Sequence, residues 1–95
     1  MKIELSSQVA AFVRSLAPEP RRKLRLALRG LAKGQGDIKS LEGALKSYSR
    51  LRVQSYRVIL FLASPYRIEC IFAERRSIIY EVFAEALRER LGKER

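Results

Sequence analysis

The sequence predicts a single α+β domain over residues 1–95, in which helices pack on a small antiparallel sheet. Three observations support this class. Segments that alternate apolar and polar residues, as strands do, occur at the N-terminus and in the second half of the chain. Two segments with apolar residues at helical spacing lie between them. A third helical segment follows the last strand, so the predicted order of elements is βααβββα.

The N-terminal strand covers residues 1–5, which alternate in the manner of a short strand. A helix follows with Ser6 or Ser7 as its N-cap, because a serine hydroxyl can accept a hydrogen bond from the free N–H groups of the first turn. The apolar residues of this helix fall on one face, which is expected to pack on the sheet. They are Val9, Phe12, Val13 and Leu16.

A second helix follows the chain break at APEP, and Pro20 suits its first turn, where the missing N–H of proline costs nothing. The helix is expected to end near Gly34 or Gly36. Its leucines form an inner face and its outer face is basic. The basic residues are Arg21, Arg22, Arg25, Arg29 and Lys33. Such a face is usually solvated, and in an RNA-binding protein it would widen the contact.

Residues 48–61 (YSRLRVQSYRVILF) predict a β-hairpin. With residues 54 and 55 as a two-residue turn, Arg52 would pair directly with Arg57. Arg50 would lie on the same face, because side chains alternate along a strand. Like charges that face each other across two strands destabilise a sheet. The clustering therefore indicates that these arginines bind an anion.

The remaining elements follow from apolar runs and loop residues. The run 58–63 is apolar on both faces, which predicts a central strand covered on one side by the helix pair and on the other by the C-terminal helix or a partner protein. Residues 35–47 are expected to form a loop, and residues 77–91 the C-terminal helix. The third strand should follow a loop of about three residues. This register places four residues on the core face: Tyr66, Ile68, Cys70 and Phe72.

The charge balance favours a polyanionic partner. The chain has 20 Lys and Arg against 10 Asp and Glu, a net charge of +10, and a pI near 10.5. Nucleic acid, an anionic membrane or an acidic protein would suit this excess. The sequence has no histidine, which excludes histidine-based triads, histidine acid–base pairs and most transition-metal sites. We therefore expect neither a metal ion nor another cofactor.

A cytoplasmic location is expected from the cysteine and hydropathy patterns. The single cysteine, Cys70, cannot form an internal disulfide and is expected to be a small core residue. The longest apolar run is too short to span a membrane, and the N-terminus has no apolar signal-peptide segment.

Arginine is suited to binding phosphate, because it stays protonated and its planar guanidinium carries several donors that match phosphate oxygens. Arg50, Arg52 and Arg57 would form a rigid cationic surface on one sheet face. The alternative is that each arginine is solvated or paired with a carboxylate. The carboxylates considered are Glu42, Glu69 and Glu74.

Three more candidates follow the last predicted strand. Arg75, Arg76 and Tyr80 would border the same surface if the chain turns there into the C-terminal helix. The alternative for Tyr80 is a half-buried aromatic side chain of that helix.

Residues 41–59 resemble the RelE/ParE superfamily of toxin–antitoxin toxins. That superfamily has Leu-x-Gly, four residues, and then Tyr-x-Arg-(Ile/Leu)-Arg-Val-x-x-Tyr-Arg-(Val/Ile). The matching residues are Leu41, Gly43, Tyr48, Arg50, Leu51, Arg52, Val53, Tyr56, Arg57 and Val58. The closing motif of the superfamily is similar to residues 74–80, where Arg76 and Tyr80 match. The sequence departs from the pattern in two respects: residues 54–55 lack the usual turn glycine, and Arg75 replaces a frequent histidine.

In the RelE branch, the resemblance implies a ribosome-dependent endoribonuclease that cuts messenger RNA in the ribosomal A site without a metal ion. A cognate antitoxin with an acidic segment is the implied protein partner. Arg52, Arg57 and Arg76 would stabilise the charge on the phosphate, and Tyr80 is the best candidate for the base. The same three carboxylates named above are weaker base candidates. The remaining RNA-binding candidates are Arg50, Arg75 and Lys46.

Two other functions stay open at this stage. The ParE branch implies a gyrase-directed toxin without nuclease chemistry, although the presence of Arg57, Arg76 and Tyr80 argues against it. The third possibility is a basic module that binds RNA or the antitoxin without catalytic activity.

Overall fold

The computed structural model describes the backbone of residues 1–75 and 79–93, and the side chains of residues 1–75 and 81–89. It confirms the α+β class. The elements are β1 (Lys2–Leu5), α1 (Ser7–Ser15), α2 (Pro18–Leu31), β2 (Asp37–Ser40), a 3₁₀ turn (Gly43–Leu45), β3 (Ser49–Val53), β4 (Tyr56–Ser64), β5 (Arg67–Arg75) and α3 (Ile79–Lys93).

The five strands form one mixed sheet in the order β1-β5-β4-β3-β2. The antiparallel prediction is correct for β3, β4 and β5 and wrong for β1, which runs parallel to β5. Alternation along a strand carries no information about the direction of its neighbour. The strand β2 lies in the segment predicted as a loop. Its residues are all exposed, so it has no apolar pattern that would predict a strand.

The predicted hairpin is confirmed in its register. Val53 pairs with Tyr56, and Arg52 pairs directly with Arg57. The turn residue Gln54 has a φ of 55°, in the left-handed region that favours glycine. Strand β4 is central in the sheet, as its apolar sequence predicts.

The start of α1 agrees with the prediction, whereas both ends of α2 differ from it. Ser6 is the N-cap of α1, and its hydroxyl accepts a hydrogen bond of 3.1 Å from the Val9 N–H. The helix α2 begins at Pro18 and ends at Leu31, earlier at both ends than predicted. Proline is favourable in the first turn of a helix, so Pro18 can start α2 as well as Pro20 can.

Two apolar clusters lie on opposite faces of the sheet. The larger cluster joins α1 and α2 to β3, β4 and β5, with residues such as Val9, Leu24 and Leu51 fully buried. On the other face, Phe83 of α3 packs on Ile59 of β4. The predicted cover of the second face by the C-terminal helix is therefore confirmed. No helix in the described part of the chain is both long and apolar enough to cross a membrane.

A β-bulge corrects the predicted register of β5. Ile59 pairs with Phe72 while Leu60 pairs with Cys70, so Ile71 is an extra residue. Cys70 remains in the larger cluster, together with Ile68 at its margin, but Phe72 turns to the opposite face. The loop before β5 has two residues instead of three. It contains Tyr66, whose side chain is 79% exposed, so its predicted core position is wrong.

Side chains from α1 and its N-cap bind the main chain at this bulge. The Ser6 hydroxyl donates to the Ile71 carbonyl at 3.0 Å. The Gln8 amide donates to the Ala73 carbonyl at 2.7 Å and accepts from the Ala73 N–H at 2.8 Å. These bonds extend the edge of β5 beyond the end of β1. The bulge is therefore supported by tertiary contacts that no local pattern predicts.

Candidate nucleic-acid interface

Arg50, Arg52 and Arg57 lie on the sheet face that α3 covers, and we call this group the arginine face. Arg52 and Arg57 are directly opposite each other, and Arg50 is opposite Ile59, which packs against α3. Directly opposite residues share a face, and residues two positions apart along a strand do so too. The clustering that the sequence predicts is therefore confirmed by the strand register.

Arg57 is held in one orientation by the hairpin turn. Its side chain is almost fully buried, with the residue only 6% exposed. Its Nη1 donates to the Gln54 carbonyl at 2.7 Å and to the Tyr56 carbonyl at 2.9 Å. Hydrogen bonds from a charged donor are stronger than neutral ones. These hydrogen bonds stabilise the turn and also fix the orientation of the Arg57 guanidinium.

Arg50 is bound to the edge strand β2. Its Nη1 donates to the Asp37 carbonyl at 3.0 Å and to Asp37 Oδ1 at 3.2 Å. The Arg50 side chain is only 16% exposed, whereas that of Asp37 is largely exposed. Arg50 is therefore paired with a carboxylate, as the alternative interpretation expected, but the carboxylate is Asp37 and not one of the three candidate glutamates. The sequence analysis missed Asp37 because it did not predict a strand at residues 37–40.

Arg52 is the most accessible of the three. Its side chain is exposed, and within the described part of the chain its guanidinium forms neither a hydrogen bond nor an ion pair. Two neighbours with fixed orientations and one unengaged guanidinium make a surface that can bind phosphate oxygens. Arg52 is the member most able to contact a ligand without first breaking a protein contact.

The three candidate carboxylates differ in their distance from the arginine face along the sheet. Glu74 is directly opposite Arg57 in the β4–β5 pair, where side chains on the same face are typically about 5 Å apart at Cβ. Glu69 is opposite Phe61, and its carboxylate is 3.5 Å from Arg67. Glu42 is exposed at the start of the 3₁₀ turn. Glu74 is therefore the carboxylate placed to act beside Arg57.

An aromatic group borders the arginine face where α3 packs. The Phe83 ring lies with its centroid 5.2 Å from that of Tyr48 and 6.0 Å from that of Phe72. Tyr48 also contacts Phe61, with centroids 5.8 Å apart. Ile59 packs against Phe83 and is directly opposite Arg50 in the sheet. The helix α3 therefore lies beside Arg50. One end of this face is thus apolar and covered, and the other carries the charges.

The structure separates Arg75 from the arginine face. Arg75 is opposite Tyr56, whose ring packs toward α1 with its centroid 5.7 Å from that of Phe12. Arg75 therefore lies at the end of β5 on the helix side, although its side chain is exposed. Lys46 is an exposed residue directly after the 3₁₀ turn.

Sequence comparison identifies no relative: no protein-family model and no curated protein matches the chain. Solved structures do match its fold. The RelB–RelE antitoxin–toxin complex from Methanococcus jannaschii includes a chain that is 19% identical, with a TM-score of 0.65 over 84% of this chain and 98% of that chain. The chain has the fold of the RelE toxins. The fold implied by the hairpin motif is therefore confirmed.

Two more matches have the same fold. A chain of the archaeal RelE–RelB complex from Pyrococcus horikoshii OT3 is 22% identical, with a TM-score of 0.61 over 80% of this chain and 94% of that chain. The YoeB/ParE toxin from Agrobacterium tumefaciens is 21% identical, with a TM-score of 0.56 over 79% of this chain and 98% of its own. At these identities the matches show a shared fold and do not assign a role to any residue of this chain.

Part of the predicted catalytic set falls beyond what the structure describes. Arg76 and the side chain of Tyr80 lie outside the described residues. Tyr80 is the second residue of α3, the helix whose Phe83 packs beside the arginine face. The predicted roles of Arg76 and Tyr80 stay predictions.

Cys70 is a core residue of the RelE fold. It is fully buried, and burial raises the pKa of its thiol to about 12. A thiol with that pKa is protonated at neutral pH and is a poor nucleophile. Among the described residues, no group of three Asp, Glu or Cys side chains is arranged to hold a metal ion. The chemistry available at the arginine face is binding of an anion by guanidinium groups, and the Glu74 carboxylate is opposite Arg57 in the sheet.

Proposed function

We propose that this protein is the toxin of a toxin–antitoxin pair and that it cleaves messenger RNA on the ribosome, as an endoribonuclease that needs no metal ion. The observation that carries the proposal is the arginine face, because three guanidiniums gathered on one face of a RelE fold provide donors for phosphate oxygens. Arg57 is oriented in advance by two carbonyl groups. Preorganised donors are effective where negative charge develops in a transition state.

The reaction needs a base and charge stabilisation. The base removes the proton of a ribose 2′-hydroxyl, whose oxygen attacks the adjacent phosphorus. The bond from phosphorus to the 5′-oxygen breaks, and that oxygen takes up a proton. Arg52, Arg57 and Arg76 would stabilise the charge on the phosphate oxygens, with Arg50 as a positioning residue. Arginine stays protonated, so the base must be another group. Tyr80 is our first candidate and Glu74 the second.

The proposed protein partner is an acidic antitoxin. The matched structures from Methanococcus jannaschii and Pyrococcus horikoshii are complexes with RelB. In this chain, the net charge of +10 and the arginine face favour a partner with acidic groups. The partner would cover the face that α3 now covers or displace α3, because Phe83 and Ile59 are the only buried residues of that cluster in the described part of the chain.

The test is single-turnover cleavage of messenger RNA on programmed ribosomes. Arg57→Ala should lower the cleavage rate about 10²- to 10³-fold, the typical loss for one preorganised donor. Arg57→Lys should recover only part of it, because a point charge does not reproduce the planar guanidinium. Tyr80→Phe should lower the rate about 10²-fold while ribosome binding stays near wild type. Arg57→Ala with full activity would refute this role of the arginine face.

The same preparations separate the proposal from its two alternatives. A wild-type protein that leaves messenger RNA intact and inhibits gyrase supercoiling would be a ParE-type toxin. A protein that does neither, and still binds RNA or the antitoxin, would be a binding module. Tyr80→Phe with the wild-type rate would transfer the role of base to Glu74, which Glu74→Gln then tests.

A further inference from the structure

An apolar groove of about 420 Å³ lies on the helix side of the sheet, at the edge formed by β1. It is far from the arginine face, which is on the opposite side of the sheet. Ile3 and Leu5 of β1 line one wall, and Leu28 of α2 and its C-cap residue Ala32 line the other. Leu5 is 44% exposed, and it forms an apolar patch together with the other apolar side chains of the groove. We call this feature the β1 groove.

The main chain of β1 is open along the same edge. The Lys2 N–H donates to the Tyr66 carbonyl at 2.7 Å, and the Ser6 N–H donates to the Cys70 carbonyl at 2.9 Å, so these residues point toward β5. Main-chain groups alternate in direction along a strand, and those of Ile3 and Leu5 therefore point away from β5. No described strand pairs with this edge, since β1 is the terminal strand of the sheet. An unpaired edge is a template for another strand.

Two arginines give the β1 groove its charge. Arg25 and Arg29 lie one helical turn apart on α2, and both line the groove. Within the described part of the chain, neither side chain forms an ion pair, whereas the nearby Arg22 binds Glu19 at 2.8 Å. Like charges at this spacing destabilise a helix. Carboxylates presented from the groove side would remove that repulsion.

We propose that the β1 groove binds an extended acidic segment of the antitoxin, which adds to β1 as a sixth strand. Residues of the segment that face the groove would be apolar opposite Ile3 and Leu5 and acidic near Arg25 and Arg29. The identity of the partner rests on the proposed function, while the chemistry of the segment rests on the groove alone. A second copy of this chain fits less well, because it would bring two Arg25–Arg29 pairs and two net charges of +10 together.

The probe is the blocked peptide Thr-Glu-Thr-Val-Thr-Val-Thr-Glu-Thr, in which two valines and two glutamates share one face of a strand. Binding to the purified chain is measured by titration, and strand addition by amide hydrogen exchange. We expect saturating peptide to slow exchange at Ile3 and Leu5 by about tenfold or more, because both amides become hydrogen-bonded. The same peptide with lysine in place of glutamate should not bind.

Matched variants test the charge contacts. Arg25→Glu with Arg29→Glu should weaken peptide binding about tenfold, equivalent to about 1.4 kcal/mol for two exposed contacts. Lys23→Glu, on the same helix but outside the groove lining, should change it less than about twofold. Lys23→Glu is the control for the general loss of positive charge. Circular dichroism checks that the exposed-site variants stay folded.

Three results would overturn the proposal. They are no binding at millimolar peptide, binding without protection of Ile3 and Leu5, and equal weakening by Lys23→Glu and the double variant. A concentration-dependent dimer that Leu5→Glu dissociates would assign the groove to a second copy instead. The peptide assay uses neither ribosomes nor messenger RNA. Its failure therefore leaves the ribonuclease proposal in place, and a failure of the cleavage test leaves the groove assay unaffected.

Discussion

The two faces of the sheet are built from the same strands but differ in composition and in cover. On the helix face, valines of α1 and leucines of α2 pack on apolar residues of β3, β4 and β5 to form the larger cluster. On the opposite face, Ile59 and Phe83 are the only hydrophobics among the described residues that are buried, and half-buried apolar side chains and the arginines lie around them. One face is a core and the other is a surface with a helix on it.

This difference indicates that stability and binding are divided between the faces. Burying a leucine side chain stabilises a fold by about 1.5–3 kcal/mol, so the helix face supplies most of the apolar contribution. Burying charge is unfavourable unless it is hydrogen-bonded. The second face meets that condition locally, with carbonyl groups for Arg57 and with Asp37 for Arg50. The following four experiments test the division.

The largest effect is expected from a cavity in the helix face. Leu24→Ala removes a fully buried side chain and should lower the free energy of unfolding by about 2–5 kcal/mol, measured by urea denaturation. Phe83→Ala removes the α3 contact with Ile59 instead. It should speed hydrogen exchange in α3 while α1 and α2 keep their protection. Equal loss of protection in all three helices would show that the two faces unfold as one unit.

The next effect compares the two arginines that face each other. Arg57→Ala removes the two hydrogen bonds that the guanidinium donates to the Gln54 and Tyr56 carbonyls and should lower the free energy of unfolding by about 1–3 kcal/mol. Arg52→Ala should change it by less than about 0.5 kcal/mol, because the Arg52 side chain is exposed. Urea denaturation of both variants measures the difference. If both substitutions lower stability equally, Arg57 has no special role in the turn.

The buried thiol of the helix face should make stability depend on pH. The pKa of Cys70 is raised to about 12, whereas a thiol in an unfolded chain has a pKa of about 8.5. Because the folded-state pKa is the higher, this stabilisation is complete below about pH 8.5 and is lost as the pH rises toward 12. Between pH 9 and 10, wild type should lose up to about 1.4 kcal/mol more than Cys70→Ala. Parallel denaturation curves for the two proteins would contradict this.

The smallest effect concerns the turn beside the arginine face. Gln54→Gly should raise the free energy of unfolding by about 0.5–1 kcal/mol, because glycine adopts the positive φ of 55° without steric cost. Ser55→Gly is the matched control and should give no gain, since Ser55 has no positive φ. Thermal denaturation of the three proteins measures the difference. Gln54→Gly that destabilises the protein would indicate that the glutamine side chain stabilises the turn.

Local patterns in the sequence were sufficient for much of the fold. Alternation over residues 48–61 predicted the hairpin and placed Arg52 opposite Arg57. The apolar run of β4 predicted a central strand with cover on both faces. Ser6 was among the expected caps of α1. These features could be predicted because the period of a strand or helix and the preference for a cap are properties of neighbouring residues.

The features that the sequence did not predict depend on contacts between residues far apart in the chain. The strand β2 exists through its pairing with β3, and that pairing brings Asp37 to Arg50. The parallel pairing of β1 with β5 uses main-chain hydrogen bonds between residues more than 60 positions apart. The bulge at Ile71 is held by side-chain hydrogen bonds from Ser6 and Gln8, which are equally distant along the chain. The same holds for the β1 groove, whose walls come from β1 and α2. The sequence by itself determined which residues carry charge and which strands alternate. Only the tertiary structure decided which partners those residues meet, because the energy of each such contact depends on groups far away in the chain.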